Sequence, residues 1–234
     1  MARGRVRIAS YNIRKAVGLD WKRRPDRILA VLDEIGASVV ALQEADKRLG
    51  NRPAALPHVL LETHGRWRPL DPGPGPSLGW HGNAILLSDG VEGEVAQCLS
   101  LPGLEPRGAF LARVTLPSGW RFLLVATHLG LDQASRRRQM AAILDAARAE
   151  RLPFVLAGDL NTPRPERLFG TPDPKLRVVT PGPSFHASRP VVALDHLIVG
   201  RYVRVETSGV HLSPLSRVAS DHLPVWAELI VPRR

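Results

Sequence analysis

The sequence predicts an α/β protein in which two β-sheets pack face to face with helices on the outside. Two observations carry this expectation. Eight short apolar runs have strand length, and only two clear amphipathic helices are spaced among them. A regular alternation of strand and helix would need more helices, so two packed sheets fit the pattern better than one parallel sheet.

Residues 6–13 come first, with Val6 and Ile8 set against Arg7 and Ser10 in half-buried alternation. A helix follows, with Pro25 in its first turn, Ile28, Leu32 and Ile35 as its apolar stripe and Gly36 as its stop. Residues 38–42, 84–87, 110–116 and 122–126 read as strands, several of them apolar throughout and so buried on both faces. The second helix spans residues 135–151, with Met140, Ile143, Leu144 and Ala147 on one side. Arg136, Arg137 and Arg138 near its start oppose the helix dipole; a solvated face explains them more simply than phosphate attraction. Residues 154–157, 193–199 and 225–231 complete the strands. Residues 68–79 and 171–190, the latter with five prolines, read as surface loops that border a substrate entrance.

At 234 residues the chain suits one domain over its whole length. No apolar run approaches the ~18–20 residues that span a bilayer, and the N-terminus lacks a signal-peptide core. The one cysteine, Cys98, rules out an internal disulfide and makes cytoplasm the default expectation. Net charge is +10; lysine stands only at 15, 22, 47 and 175, so arginine supplies 28 of the 32 cations. Arginine's planar fork matches phosphate oxygens, and a basic surface draws nucleic acid or anionic lipid headgroups. A codon-biased composition explains the same excess equally well, because the arginines are dispersed.

The informative feature is where the strands end. Asn12 follows the first, Gln43-Glu44 the second, and Thr127-His128 the run FLLVA. Gly158-Asp159-Leu160-Asn161 follows FVLA, Asp195-His196 lies inside VALDHLIV, and Ser220-Asp221-His222 precedes the last strand. One such cluster is an ordinary turn, but six suggest a shared rim. IASYNI (8–13), VVALQE (39–44), HGNAILLS (81–88), VATHL (125–129), LAGDLN (156–161), ALDHLIV (193–199) and SDHLPVWAEL (220–229) resemble, in order, the motifs of the endonuclease/exonuclease/phosphatase superfamily of DNase I-like phosphoesterases. NIRKAVGLD and EPRGAFLARV look most like its small bacterial members.

That resemblance implies a four-layer sandwich of two mixed sheets flanked by helices. It also implies a Mg²⁺- or Mn²⁺-dependent phosphodiesterase, hydrolysing P–O bonds by in-line attack of activated water. Glu44 would bind the metal, with Asn12 and Asp221 completing the site; a turn residue is the plain alternative for Asn12. Asp159 and Asn161, two apart on an extended segment, would point the same way, orient the water and hold a phosphate oxygen. Asp195 and His222 would form a carboxylate–imidazole pair, with His222 as base or phosphate stabiliser. His128 would bind a non-bridging oxygen, and Asn83, Arg14 and Arg107 are weaker substrate-binding candidates. Arg14 replaces an aspartate that apurinic endonucleases carry, which disfavours abasic-site repair. His128 lacks an evident acidic partner before Gly82. The substrate would be a phosphate ester, nucleic acid or a phospholipid headgroup among them. The rival from another class is a silent nucleic-acid-binding module on the same fold.

Overall fold

A computed structural model of the chain describes residues 4–47, 50–171 and 173–232. The first three residues of the N-terminal stretch read above as lacking a leader core lie outside that set.

Two six-stranded mixed sheets form the centre. The first contains β1 (Gly4–Asn12), β2 (Val39–Gln43), β3 (Trp67–Pro69), β4 (Ala84–Ser88), β11 (Arg204–Val210) and β12 (Val225–Val231), in the order β11-β12-β1-β2-β4-β3. The second contains β5 (Glu92–Leu101), β6 (Arg107–Thr115), β7 (Arg121–His128), β8 (Phe154–Asp159), β9 (Leu176–Val179) and β10 (Asp195–Gly200), in the order β5-β6-β7-β8-β10-β9. Each sheet has one parallel pair at its middle, β1 with β2 and β7 with β8, and the other pairs are antiparallel. These central pairs face each other across the sandwich.

Apolar side chains from the two inner faces meet in one core, including Ile8, Ile85, Phe110, Phe122, Leu124 and Leu197. The outer face of the first sheet packs on α1 (Pro25–Ile35), which buries Ile28, Leu29, Val31, Leu32 and Ile35 and ends on left-handed Gly36. The outer face of the second packs on α3 (Gln133–Ala149) through Met140, Ile143, Leu144 and Ala147. Helix, sheet, sheet and helix therefore stack in four layers, as expected. Among the described residues, no helix is long and apolar enough to cross a membrane.

The eight strands read from the sequence are the eight interior strands. The four not foreseen, β3, β5, β9 and β11, are the four sheet edges. Edge strands are half exposed and interrupted by charge, so they lack a continuous apolar signal. One of them, Leu176–Val179, lies inside the stretch 171–190 expected to be wholly loop. Two short helices, α2 (His58–His64) and α4 (Ser216–Ala219), were also unmarked in the sequence. At the start of α3, Asp132 caps Ser135 N at 2.7 Å. Arg136 donates to the carbonyls of Gly130 and Leu131, and Arg137 to that of Arg167, so these cations are held in local hydrogen bonds.

Strand ends are set by register. In the parallel pair, Thr127 lies opposite Gly158 and His128 opposite Asp159. A Cβ on Gly158 would lie 2.0 Å from the Thr127 carbonyl oxygen, so only glycine allows this approach. Gly158→Ala must therefore push β8 from β7, with an expected loss of about 1–3 kcal/mol of stability. Urea denaturation measures it, and an unchanged midpoint would contradict the packing described.

Candidate functional site

The polar strand ends converge on one carboxylate. Asp159 ends β8 with only 1% of its surface exposed. Its Oδ2 accepts a hydrogen bond from Asn12 Nδ2 at 3.1 Å, across the sandwich from the end of β1. The same oxygen lies 3.3 Å from His128 Nε2 and 3.7 Å from His222 Nε2. Its Oδ1 accepts from the backbone N–H of Asn161 at 3.0 Å. His128, which had no evident acidic neighbour in the sequence, thus has one in Asp159.

The geometry of Asn161 differs from the extended segment expected. Its φ is +51°, so the chain turns there and the two side chains do not share a face by strand alternation. Instead Asp159 caps the turn, and Asn161 Nδ2 donates to the Leu129 carbonyl at 2.8 Å. The two residues remain joined, by an Asx turn rather than by pleat.

Asp195 opens β10 rather than lying within it, and is fully buried. Its Oδ2 lies 2.8 Å from His222 Nδ1 and accepts from Ser184 Oγ at 2.6 Å. Burial opposes a charge on the His222 ring. The charge and hydrogen bond of Asp195, then the charges of Asp159 and Asp221, outweigh it and hold the pKa up at about 10. These three carboxylates therefore favour the protonated form of the ring. The neighbour of His222 in motif terms, His196, is different. Its ring nitrogens meet Thr180 Oγ1 and the Thr162 carbonyl, and burial lowers its pKa, so it braces the backbone as a neutral ring.

Glu44 lies just past β2 in a left-handed conformation (φ +52°), and its carboxylate pairs with the Lys15 ammonium. Asp221 pairs with Arg14, Nε to Oδ2 at 3.5 Å. Asn12 Oδ1 accepts from Arg14 N at 3.1 Å, and Ser220 Oγ donates to the Asn12 carbonyl at 2.7 Å. So both carboxylates expected to serve the metal each hold a cation, supplied by one turn in which Arg14, Lys15 and Ala16 all have positive φ. Such residues cost about 1–3 kcal/mol each and gather where the surrounding structure imposes them.

Glu44 and His128 line a cavity of about 340 Å³ together with Asp46, Arg52, His81 and Arg107. Arg107 is 7% exposed and pairs with Glu105, while its Nε has no hydrogen-bond partner. Asn83 lies beneath this wall, fully buried; its amide donates to the carbonyls of Trp80 and Gly108, and its Oδ1 has no partner.

Two sets of side chains have metal-binding chemistry. Asp159, Asp195 and His222 offer ligand atoms within 4.8 Å of one another. Glu44, Asn12 and Asp221 offer oxygen donors only, and the cations on both carboxylates show that they suit positive charge. Ser184 and Lys15 were missed in the sequence. Ser184 lies in a proline-rich loop with no motif of its own, and Lys15 follows the motif asparagine within a run of mixed charge.

Residues 9–222 match the model of the Endonuclease/Exonuclease/phosphatase family. A comparison with curated proteins gives no match. Solved structures with the same fold include an endonuclease/exonuclease/phosphatase from Bacteroides vulgatus, 18% identical, with a TM-score of 0.75 over 97% of this chain and 99% of that one. Another, from Beutenbergia cavernae DSM 12333, is 25% identical, with a TM-score of 0.69 over 98% of this chain and 72% of that one. D. rerio TDP2 complexed with a single-strand DNA product is 18% identical, with a TM-score of 0.72 over 96% and 98%. The family match runs from the strand that ends in Asn12 to the histidine that Asp195 holds, and on that span the chain belongs to the endonuclease/exonuclease/phosphatase family.

Proposed function

We propose that this chain is a divalent-metal-dependent phosphodiesterase that cleaves P–O bonds by in-line attack of water. The observation that carries the reading is the convergence of Asn12, His128, Asn161 and His222 on the buried Asp159 carboxylate. Family membership supports the same reaction class.

Asp159 is the acceptor at the centre of the site, and it orients the attacking water and draws on its proton. Its contacts to four donors fix the carboxylate, so little reorganisation is needed during the reaction. Asp195 engages Nδ1 of His222 and the surrounding carboxylates favour the protonated ring, which leaves Nε2–H as a donor towards the site. The role of His222 is therefore donation to a phosphoryl or leaving oxygen, with Asp195 and Ser184 fixing the ring. His128 donates to a non-bridging oxygen beside it. Asn161 holds the turn and presents its amide at the same rim. Arg14 and Arg107 offer guanidinium nitrogens for the rest of the substrate.

Glu44, with Asn12 and Asp221, would hold Mg²⁺ or Mn²⁺, because magnesium prefers one or two carboxylates and retained water. The Asp159–Asp195–His222 group is drier, and its imidazole is already engaged by Asp195. When bound, the metal would offset the charge that builds on the phosphoryl oxygens.

Asp159→Ala and His222→Ala are each expected to lower kcat on an aryl phosphodiester by about 10²–10⁴-fold. EDTA should abolish turnover, and Mn²⁺ should restore it. Full activity in either variant, or in EDTA, would contradict the assignment. The pH dependence of stability has a fixed sign. The folded pKa of His222, about 10, exceeds the ordinary 6.5, so its stabilising contribution is complete below pH 6.5 and disappears as pH rises through 10. Urea midpoints in EDTA should fall over this window by more in the wild type than in His222→Gln; parallel curves would contradict it.

A further inference from the structure

The segment that joins Asn12 to α1 ends on a side chain that the chemistry above does not use. Trp21 is 77% exposed, although tryptophan is among the largest apolar side chains in the molecule. It sits at φ +60° on a loop pinned from several directions. Trp21 N donates to the Gly18 carbonyl and Gly18 N to that of Lys22, both at 3.0 Å, and Leu19 N reaches the Val218 carbonyl at 3.0 Å. The Asp20 carboxylate takes both terminal nitrogens of Arg27, at 3.0 and 2.9 Å. Gly18 has no room for a side chain, since a Cβ would lie 2.5 Å from the Val218 carbonyl oxygen. The loop is thus built to hold an indole in solvent.

One face of that indole is occupied. The Arg14 guanidinium carbon lies over the ring, 4.6 Å from its centroid. The same guanidinium is paired with Asp221, and the Arg14 backbone N–H with Asn12. The tryptophan is therefore two contacts from the candidate metal ligands. Lys22, Arg23 and Arg24, all exposed, continue the chain beside it. A fixed aromatic ring beside cations, two contacts from the proposed phosphate-cleaving centre, is the arrangement that takes an unstacked base while its backbone lies along positive charge.

We propose that Trp21, backed by Arg14, is a stacking platform for a base of single-stranded nucleic acid next to the scissile phosphate. The inference relies on the phosphodiesterase reading for the identity of the bond that is cut, and on the loop alone for binding. A base within a duplex is stacked on both its faces and has none free for the indole, so single strands are the fitting class. A membrane is the poorer fit. Insertion into lipid calls for several apolar side chains, and among residues 20–24 Trp21 is the only one, with Asp20, Lys22, Arg23 and Arg24 around it.

The test is binding of a short fluorescein-labelled single-stranded oligodeoxynucleotide, followed by anisotropy in EDTA. Trp21→Ala is expected to weaken binding about 5- to 150-fold. Trp21→Phe should keep most of the affinity, and Tyr202→Ala, an exposed aromatic at the far end of β10, should keep all of it. The annealed duplex should show no Trp21 dependence. Unchanged single-strand affinity in Trp21→Ala, an equal loss on duplex, or Trp21-dependent binding to phosphatidylglycerol vesicles stronger than to the oligonucleotide would each overturn the proposal. Wild-type hydrolysis of an aryl phosphodiester with Mn²⁺ is measured in parallel. Its absence, with Trp21-dependent binding intact, would refute the phosphodiesterase reading and leave the platform standing.

Discussion

The Asp159 carboxylate is the interaction on which the rest of the site depends. A buried carboxylate is costly unless its charge is met by hydrogen bonds and opposite charge. Here the partners come from both sheets: Asn12 from the first, His128 from the second, and His222 from the segment that returns the chain to β12. Closing the sandwich and completing the site are one event, because neither sheet alone can satisfy Asp159. The tight pairing of β7 with β8, which leaves no space for a side chain at residue 158, fixes the position of that carboxylate.

Backbone strain follows the same geography. Of the nine non-glycine residues described with positive φ, only Arg151 lies away from the site and its rim. Arg14, Lys15 and Ala16 form the turn that supplies cations to Asp221 and Glu44, and Glu44 and Asn161 are themselves strained. His81 and Arg52 line the adjoining cavity, and Trp21 lies against the Arg14 guanidinium. The hydrogen bonds from Ile13 N to the Gln43 carbonyl and from Lys15 N to the Glu44 carbonyl, each 3.0 Å, hold this turn against the end of β2. The strain persists because the sheets on either side over-determine it.

Much of the architecture was legible because interior strands are either apolar throughout or regularly alternating. That signal stops at the sheet edges, where β5 alternates exposed with half-buried residues and β9 sits in a proline-rich stretch. Site residues were visible as polar interruptions at strand ends, since a polar group there needs a reason. Their partners were not. Ser184 lies 11 residues before Asp195 and carries no signal until the loop folds over the carboxylate. The acidic partner of His128 lies on the neighbouring strand, 31 residues further along the chain, where register alone places it. Strand alternation also misjudged the Asp159–Asn161 turn, because period-two reasoning fails where one residue turns left-handed.

In the proposed function the polar groups divide into two jobs: Glu44, Asn12 and Asp221 would hold a cation, while Asp159, Asp195 and His222 would handle protons and phosphate. Anomalous scattering from crystals soaked in Mn²⁺ tests that division most directly. A manganese peak with Glu44 as ligand, and with the Asp195–His222 hydrogen bond retained, is the predicted result. A peak coordinated by His222 with Glu44 still bound to Lys15 would contradict it.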